Sequence, residues 1–289
     1  STQSRSSAAS DVYKRQLRYA VRADGDLGQD LYVRTIDGRT EKRVTSASLV
    51  YHPTWRARAR QLVIVAVPDR ISAERRPGLY LVSAGGDAQP LLLLGFAKDD
   101  IPFAPSVSPD EKTLTYFHYS SDPDRKGQLG VFVFSLETAR AIGELPGPPE
   151  GVRISERSSP WWRSPIHLRL LGERVTDRGL EVAIYEVDVE RGSWKKVAVL
   201  PDGERIQSVS YCLRTERLAY LRGREEPDRV DVVLADKDGK KPFVVSSLMR
   251  PYKHLVRPFP HDISWLPDGR ALVVTNGPNL NLLRLGKPG

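Results

Sequence analysis

The sequence is poor in the residues that staple, ligate or span. It holds one cysteine, Cys212, and one methionine among 289 residues. A single cysteine excludes an internal disulfide and any zinc site built from several thiolates. Within the run Val209-Ser210-Tyr211-Cys212-Leu213 it reads as a small buried apolar residue. No apolar run approaches the roughly 20 residues that cross a bilayer as a helix; the longest, Leu62 to Val67 and Leu91 to Leu94, are strand-sized. Helical periodicity is absent, and 22 glycines and 22 prolines punctuate the chain. No Gly-x-Ser-x-Gly pentapeptide occurs, so the chain lacks the nucleophile elbow of an α/β-hydrolase. The five histidines, His52, His118, His167, His254 and His261, show no pair at the short spacing of a zinc motif.

Charge is present in excess of one sign. With 44 basic and 36 acidic residues the net charge is +8. Arg56, Arg58 and Arg60 fall on a hairpin turn, whereas Arg70, Arg75 and Arg76 fall in a loop at the opposite end of the same unit. They form no single stripe with interleaved aromatics, so nucleic acid is not the expected partner. An acidic protein or an anionic envelope surface fits better, because a net +8 attracts either at long range. The acidic turns Asp24-Gly25-Asp26, Asp122-Pro123-Asp124 and Asp236-Lys237-Asp238-Gly239 lack the spacing of a calcium loop. Hairpins need Asp and Gly at their tips for backbone reasons alone. No metal and no cofactor is expected.

What the sequence does contain is a repeat. Ser264-Trp265-Leu266-Pro267-Asp268-Gly269-Arg270-Ala271-Leu272-Val273-Val274 echoes Ser106-Val107-Ser108-Pro109-Asp110-Glu111-Lys112-Thr113-Leu114-Thr115-Tyr116. A degraded copy runs from Pro53-Thr54-Trp55 to Gln61-Leu62-Val63-Ile64-Val65. Each copy reads as strand, tight turn, strand. Anchored on Trp55, Val107, Trp162, Tyr211 and Trp265, the repeats recur about every 50 residues. Each full unit reads as four strands: 52–56, 61–67, 78–83 and 89–94; then 104–108, 112–118, 129–135 and 140–145. The next two are 160–163, 167–172, 180–188 and 194–200, and 207–212, 216–222, 229–235 and 242–246. The ends are incomplete, with 17–22, 31–36 and 42–45 at one and 262–266, 271–275 and 281–285 at the other. Apolar residues at successive positions, as in Leu62-Val63-Ile64-Val65, mark strands covered on both faces. The expected fold is therefore all-β: a β-propeller, six blades of four-stranded antiparallel sheets with the first and last incomplete. It occupies 17–289 as one domain. Residues 1–16 are Ser-rich and lack an apolar signal core. Ser10 to Gln16 resembles translated sequencing adapter, so this stretch is expected to be a disordered, non-native leader.

Asp30-Leu31-Tyr32-Val33-Arg34-Thr35-Ile36-Asp37-Gly38-Arg39-Thr40-Glu41-Lys42-Arg43-Val44-Thr45 resembles the second half of a TolB-type (WD-like repeat) blade, and Ser264 to Val274 resembles the first half. In the fourth and fifth units the Pro-Asp-Gly turn is replaced by Arg163-Ser164-Pro165 and Arg214-Thr215-Glu216. The resemblance implies a six-bladed, non-catalytic propeller of the bacterial envelope that binds other proteins. It is compatible with two alternatives. One is the propeller portion of a larger enzyme, a prolyl-oligopeptidase-like gate or a pectate-oligomer lyase; the other is the sensory module of a regulator. A monomer outside the cytoplasm, binding a protein or peptide, is the expectation.

The tryptophans Trp55, Trp162 and Trp265 are expected to wedge between blades. Alternation along a strand puts Trp161 on the other side from Trp162. Binding is expected at the end where loops precede each first strand and join second to third strands, because 68–77, 119–128, 222–229 and 249–260 are long and variable. His52, Arg157, Trp161, His261 and Asp262 are the side chains expected around that mouth. Together they supply cations, an aromatic face and an acceptor, suited to a peptide or polar ligand. His52 and His261 each precede a first strand, which would bring both near one mouth of the central channel; the similar pectate-oligomer lyases use channel-mouth histidines around a metal, but locally hydrogen-bonded loop histidines are the plainer reading.

Overall fold

Consecutive apolar residues become the inner strands of small antiparallel sheets. The computed structural model describes residues 15–21, 29–35, 39–45, 48–68, 76–86, 88–97, 100, 102–120, 122–201, 203–224, 229–249, 262–266, 268–276 and 279–285. The chain divides into two units, 1–145 and 146–289.

In the first unit, β1 (Arg15–Val21), β2 (Gln29–Thr35) and β3 (Glu41–Arg43) make a three-stranded sheet. The second sheet is β4 (Ser48–Arg56), β5 (Gln61–Pro68), β6 (Gly78–Ser83) and β7 (Leu91–Gly95). The third is β8 (Phe103–Val107), β9 (Thr113–Tyr119), β10 (Leu129–Ser135) and β11 (Arg140–Glu144). The second unit opens with β12 (Arg153–Ile154), β13 (Trp161–Trp162), β14 (His167–Thr176), β15 (Gly179–Asp188) and β16 (Ser193–Val199), in which both β12 and β13 pair with β14. The fifth sheet is β17 (Ile206–Cys212), β18 (Arg217–Gly223), β19 (Arg229–Asp236) and β20 (Phe243–Met249), and the sixth is β21 (Asp262–Trp265), β22 (Ala271–Asn276) and β23 (Asn279–Arg284). Described strands thus follow the expected repeat, sheet by sheet. The terminal sheets have three strands each, so complete blades number fewer than six among the described residues. Two local differences stand out. Sheet four gains β12, and its hairpin β14–β15 is ten residues on each arm, paired from His167↔Asp188 to Thr176↔Gly179. The polar residues Glu173 and Arg174 end the apolar run, but the ladder continues past them because Asp177 and Arg178 close a two-residue turn.

The packing explains the unbroken apolar runs. On β5, Leu62 and Ile64 join a core with Leu31 and Val33 of the first sheet, while Val63 and Val65 join Leu114, Tyr116 and Phe134 of the third. Strand β18 repeats the scheme: Leu218 and Tyr220 pack towards the fourth sheet, Ala219 and Leu221 towards the sixth. Successive side chains of a strand point to opposite faces, so a strand between two neighbours must be apolar at every position. Each such side chain, fully buried, contributes about 1.5–3 kcal/mol. Cys212, 3 % exposed, lies in the core between the fifth and sixth sheets, as a small apolar residue would.

The repeated turn has defined chemistry. Asp110 Oδ1 accepts from Ser108 Oγ at 2.6 Å and from the Lys112 amide at 3.2 Å, and Ser108 Oγ accepts from the Thr113 amide at 2.9 Å. Glu111, at φ 62, turns its carboxylate back to the preceding sheet, where Oε1 accepts from the Arg58 amide and Oε2 lies 3.8 Å from Arg56 Nε. In the last repeat Gly269, at φ 70, sits so close to Thr215 and Cys212 that a side chain there would collide with both.

Trp265 fills the wedge expected of it: it belongs to the core between the fifth and sixth sheets, and its Nε1 donates to the Ser210 carbonyl at 3.3 Å. Trp55 is half-buried against the core of the first two sheets. In the fourth sheet Trp162 is buried as expected, yet it is Trp161 that joins the core shared with the fifth sheet.

One polar element is sunk into this apolar stack. Arg169 on β14 is 1 % exposed. Its Nε donates to Glu186 Oε2 at 2.9 Å, and its two terminal nitrogens donate to the Lys237 carbonyl and to Asp238 Oδ1, at 2.5 and 3.2 Å. Arg163 adds a second guanidinium to Glu186 at 3.2 Å. The cluster ties the fourth sheet to the β19–β20 turn of the fifth. Burial pushes the Glu186 carboxyl up, but the hydrogen bonds and charges of Arg169 and Arg163 outweigh it and leave it below its ordinary value. Asp238 is likewise raised by burial and lowered further by Lys237 and Arg169.

Two stability predictions follow from this packing. Trp265→Ala is expected to cost ~3–5 kcal/mol, as for other buried aromatics, while Arg58→Ala, an exposed turn tip, is expected to be nearly neutral; equal shifts in denaturant midpoint would contradict the wedge. Arg169→Ala, which leaves Glu186 with Arg163 and Asp238 with Lys237 but opens a cavity and unpairs the Lys237 carbonyl, is expected to cost ~2–4 kcal/mol, and Arg169→Met distinctly less. Carboxylates depressed in the folded state contribute stability that is complete above their unfolded values and lost as pH falls through the folded ones. The denaturant midpoint should therefore stay level above pH 4.5 and fall below 3.8, the ordinary values of Glu186 and Asp238, and Glu186→Gln should flatten that fall.

Candidate functional site

In a meander of four strands, turns joining second to third strands emerge at the same end as the connections between sheets. In the second unit that end is elaborated around the fourth sheet. The β14–β15 hairpin extends there, with Thr176 Oγ1 donating to the Gly179 carbonyl at 2.9 Å and accepting from the Arg178 amide at 3.3 Å. Strand β12 is laid alongside it, Arg153 opposite Glu173 and Ile154 opposite Gly172.

Arg157 braces this end. Its Nε lies 3.1 Å from Glu173 Oε1, and Nη1 donates to the carbonyls of Gly203 and Ile206 at 3.2 and 3.3 Å. Ser155 Oγ donates to the same Glu173 oxygen at 2.5 Å. The guanidinium thus joins the segment before β13 to the connection leading into β17. That connection runs close to the sheet at Gly203, where a Cβ would strike the Val182 side chain.

Between the hairpin and the connection lies a concavity of about 350 Å³, open on one side and lined by Thr176, Arg178, Glu181, Val199 and Arg205 among others. Glu181 is held by Lys196 Nζ at 2.6 Å. Arg178 is exposed and has no ionic partner among the described residues. The lining is mixed, with Val199 and Leu200 beside Thr176 and Glu181, and two guanidinium-bearing residues, Arg178 and Arg205, belong to it. Such a surface can take a carboxylate-bearing segment, since guanidinium pairs carboxylates in a planar, bidentate fashion.

The five anticipated residues are placed as follows. Arg157 is at the elaborated end, serving as a brace. Trp161 is only 8 % exposed and packs in the core between the fourth and fifth sheets, so its ring offers no open face; its Nε1 is buried with no hydrogen-bond partner. The cause is the register of β13 on β14, Trp161 opposite Arg169 and Trp162 opposite Leu168, which turns the Trp161 side towards the fifth sheet. His52 is exposed, in the first unit, at a register shift of β4 with φ 45, its ring 6.5 Å from that of Phe103. Asp262 begins β21, paired with Thr275, and its side chain lies outside the described residues. His261 also lies outside them, as do His254, Arg70, Arg75, Asp24-Gly25-Asp26 and most of the loops 68–77 and 249–260.

The remaining polar candidates have structural work. His118 Nε2 lies 2.8 Å from Asp100 Oδ1, and His167 Nδ1 lies 2.9 Å from Ser164 Oγ. Asp122 caps a short 3-10 turn through the Asp124 amide, and Asp236 accepts from the amides of Asp238 and Lys240. Among the described residues no three His, Cys, Asp or Glu side chains converge as a metal site would require. Reading the sequence missed Glu173, Arg178 and Arg205, because the hairpin appeared to end at 172. The available signal was Asp177-Arg178-Gly179, a turn tip flanked by β-branched Val175 and Thr176.

No family model matches the chain, and no curated protein matches its sequence. Solved structures do resemble it. TolB from Acinetobacter baumannii aligns over 92% of this chain and 59% of its own at 18% identity, with a TM-score of 0.63; this chain therefore spans little more than half of that protein. A putative TolB from Agrobacterium tumefaciens aligns over 76% of this chain and 74% of its own at 17% identity, TM-score 0.56. An oligogalacturonate lyase solved with manganese aligns over 94% and 74% at 13% identity, TM-score 0.59. Among the described residues no helix is long and apolar enough to cross a membrane. The repeat, the sheet order and these likenesses agree on one fold, a β-propeller of the kind seen in the TolB structures.

Proposed function

We propose that this chain is a non-catalytic propeller that binds a protein or peptide partner at the loop end of its sheets, outside the cytoplasm. The observation that carries the reading is the concavity at the end of the fourth sheet. It is walled by one second-to-third-strand turn and one inter-sheet connection, and rimmed by Arg178 and Arg205. A rigid sheet edge presenting variable turns is the usual setting for recognition. Two guanidinium-bearing residues in its lining favour an acidic segment, in line with the net charge of +8. Arg157, braced between Glu173 and two carbonyls, supports this surface rather than touching the partner. The TolB likeness supports the platform role and the extracytoplasmic location.

A second reading, the propeller portion of a lyase or of a larger enzyme, draws on the likeness to the oligogalacturonate lyase solved with manganese.

The test compares wild type with an Arg178→Glu, Arg205→Glu double variant in capture from envelope extract, quantified by mass spectrometry. The same partners should be captured at least about tenfold less by the variant, and wild-type capture should weaken with added salt as rim charges are screened. Unchanged capture by a folded variant would move the site away from this concavity. Cleavage of oligogalacturonate by the wild-type chain with manganese present would replace the platform reading with the enzymatic one.

A further inference from the structure

The outer strands of the sheets differ in how they guard their free edges. An unpaired edge invites another strand, and natural proteins blunt it with charge, proline or a short length. Strand β16 carries Lys195 and Lys196, β11 carries Arg140 and Glu144, and all three residues of β3 are charged. Strand β7 is uncharged but only five residues long, and the Arg76 side chain lies against its last residue, Gly95. Strand β20 is different. Its seven residues, Phe243 to Met249, include no charge, and it closes the order β17-β18-β19-β20. Phe243, Val244 and Met249 are 52%, 43% and 67% exposed, so apolar surface is shown on both sides of the strand.

The edge is also pinned to its neighbour and flanked by cationic side chains. Ser247 lies opposite Asp231 and donates to it at 2.6 Å. That carboxylate, 3% exposed, also accepts from Arg224 Nε at 2.8 Å and from Arg222 at 3.3 Å, while Arg224 reaches Ser247 Oγ at 3.2 Å. The Arg224 guanidinium, 40% exposed, is presented beside the Ser247 end. Lys240 and Lys241, both exposed, stand beyond the other end, separated from the strand by Pro242.

We propose that the outer edge of β20, unpaired among the described residues, accepts one extended strand from a partner, apolar in its middle and carboxylate-bearing at both flanks. Backbone hydrogen bonds along the edge would supply affinity and the flanking cations would set the partner's register. A second copy of this chain fits poorly. Antiparallel pairing of two β20 strands would bring Lys241 of one copy to the Arg224 end of the other, and parallel pairing would set lysines beside lysines. This surface is separate from the concavity at the fourth sheet.

The probe is a short synthetic peptide of alternating valine and threonine with aspartates at both ends, titrated by fluorescence anisotropy against the full chain. Binding should fall at least about tenfold, or 1.4 kcal/mol, in Val244→Lys, which puts a charge on the edge strand at an exposed position. It should fall comparably in the Lys240→Glu, Lys241→Glu variant. A peptide with alternate amides N-methylated should not bind, and the Arg178→Glu, Arg205→Glu variant should bind as the wild type does. Equal binding of the N-methylated peptide would reduce the interaction to charge attraction and overturn strand addition. No binding of the unmodified peptide to the wild-type chain, or binding indifferent to both β20 variants, would overturn the assignment. A concentration-dependent dimer that Val244→Lys dissolves would put a second copy on the edge instead.

Discussion

The second and fifth sheets have to be apolar on both faces at once, and most of the architecture follows from that requirement. A strand such as β5 or β18 can meet it only by spending nearly every residue on burial, which leaves no room for a catalytic side chain on the strand itself. Polar chemistry is displaced to the ends of the sheets, where turns and connections emerge. Within each unit the same requirement makes a sheet dependent on its neighbour: Leu62 has no covered face without the first sheet, and Leu221 none without the sixth. Stability therefore resides in the interfaces between sheets more than in any one of them.

Two buried ionic clusters, around Arg169 and Asp231, interrupt this apolar stacking. Neither gains much over a well-packed apolar substitute, since desolvation offsets most of the attraction. What they add is directionality. Apolar faces can slide against one another, whereas the Arg169 guanidinium meets Glu186, Asp238 and a carbonyl in one arrangement only. Asp231 does the same within its sheet, fixing the register of the outermost strand, where fewer apolar contacts do so.

Much of this was legible beforehand. The Pro-Asp turn, the period and the unbroken runs Leu62 to Val67 and Leu218 to Leu221 follow directly from strand alternation and turn chemistry, which are local. Trp161 and Trp162 show where local reasoning stops. Alternation says only that they face opposite sides; which side is core depends on how β13 registers against β14. Strand β12 was invisible for a similar reason, since two residues carry no periodicity and are held as a strand only by the hairpin beside them. The concavity was illegible because its walls come from 176–181 and 199–205, brought together by the long β14–β15 ladder. Arg169 read as one charge among many; its burial depends on the distant turn at 237–238.

The backward reach of Glu111 has a bearing on how the chain comes to be built. Its carboxylate takes hold of the turn at Arg56 to Arg58, which belongs to the sheet made just before its own. A ribosome delivers the second sheet before the third, so the receptor for this hook is already exposed when the hook is synthesised. Within each unit, neighbouring sheets are also neighbours in sequence, so the contacts that close those interfaces span modest loops. Within each unit, assembly can proceed in the direction of synthesis, each new hairpin annealing to the last.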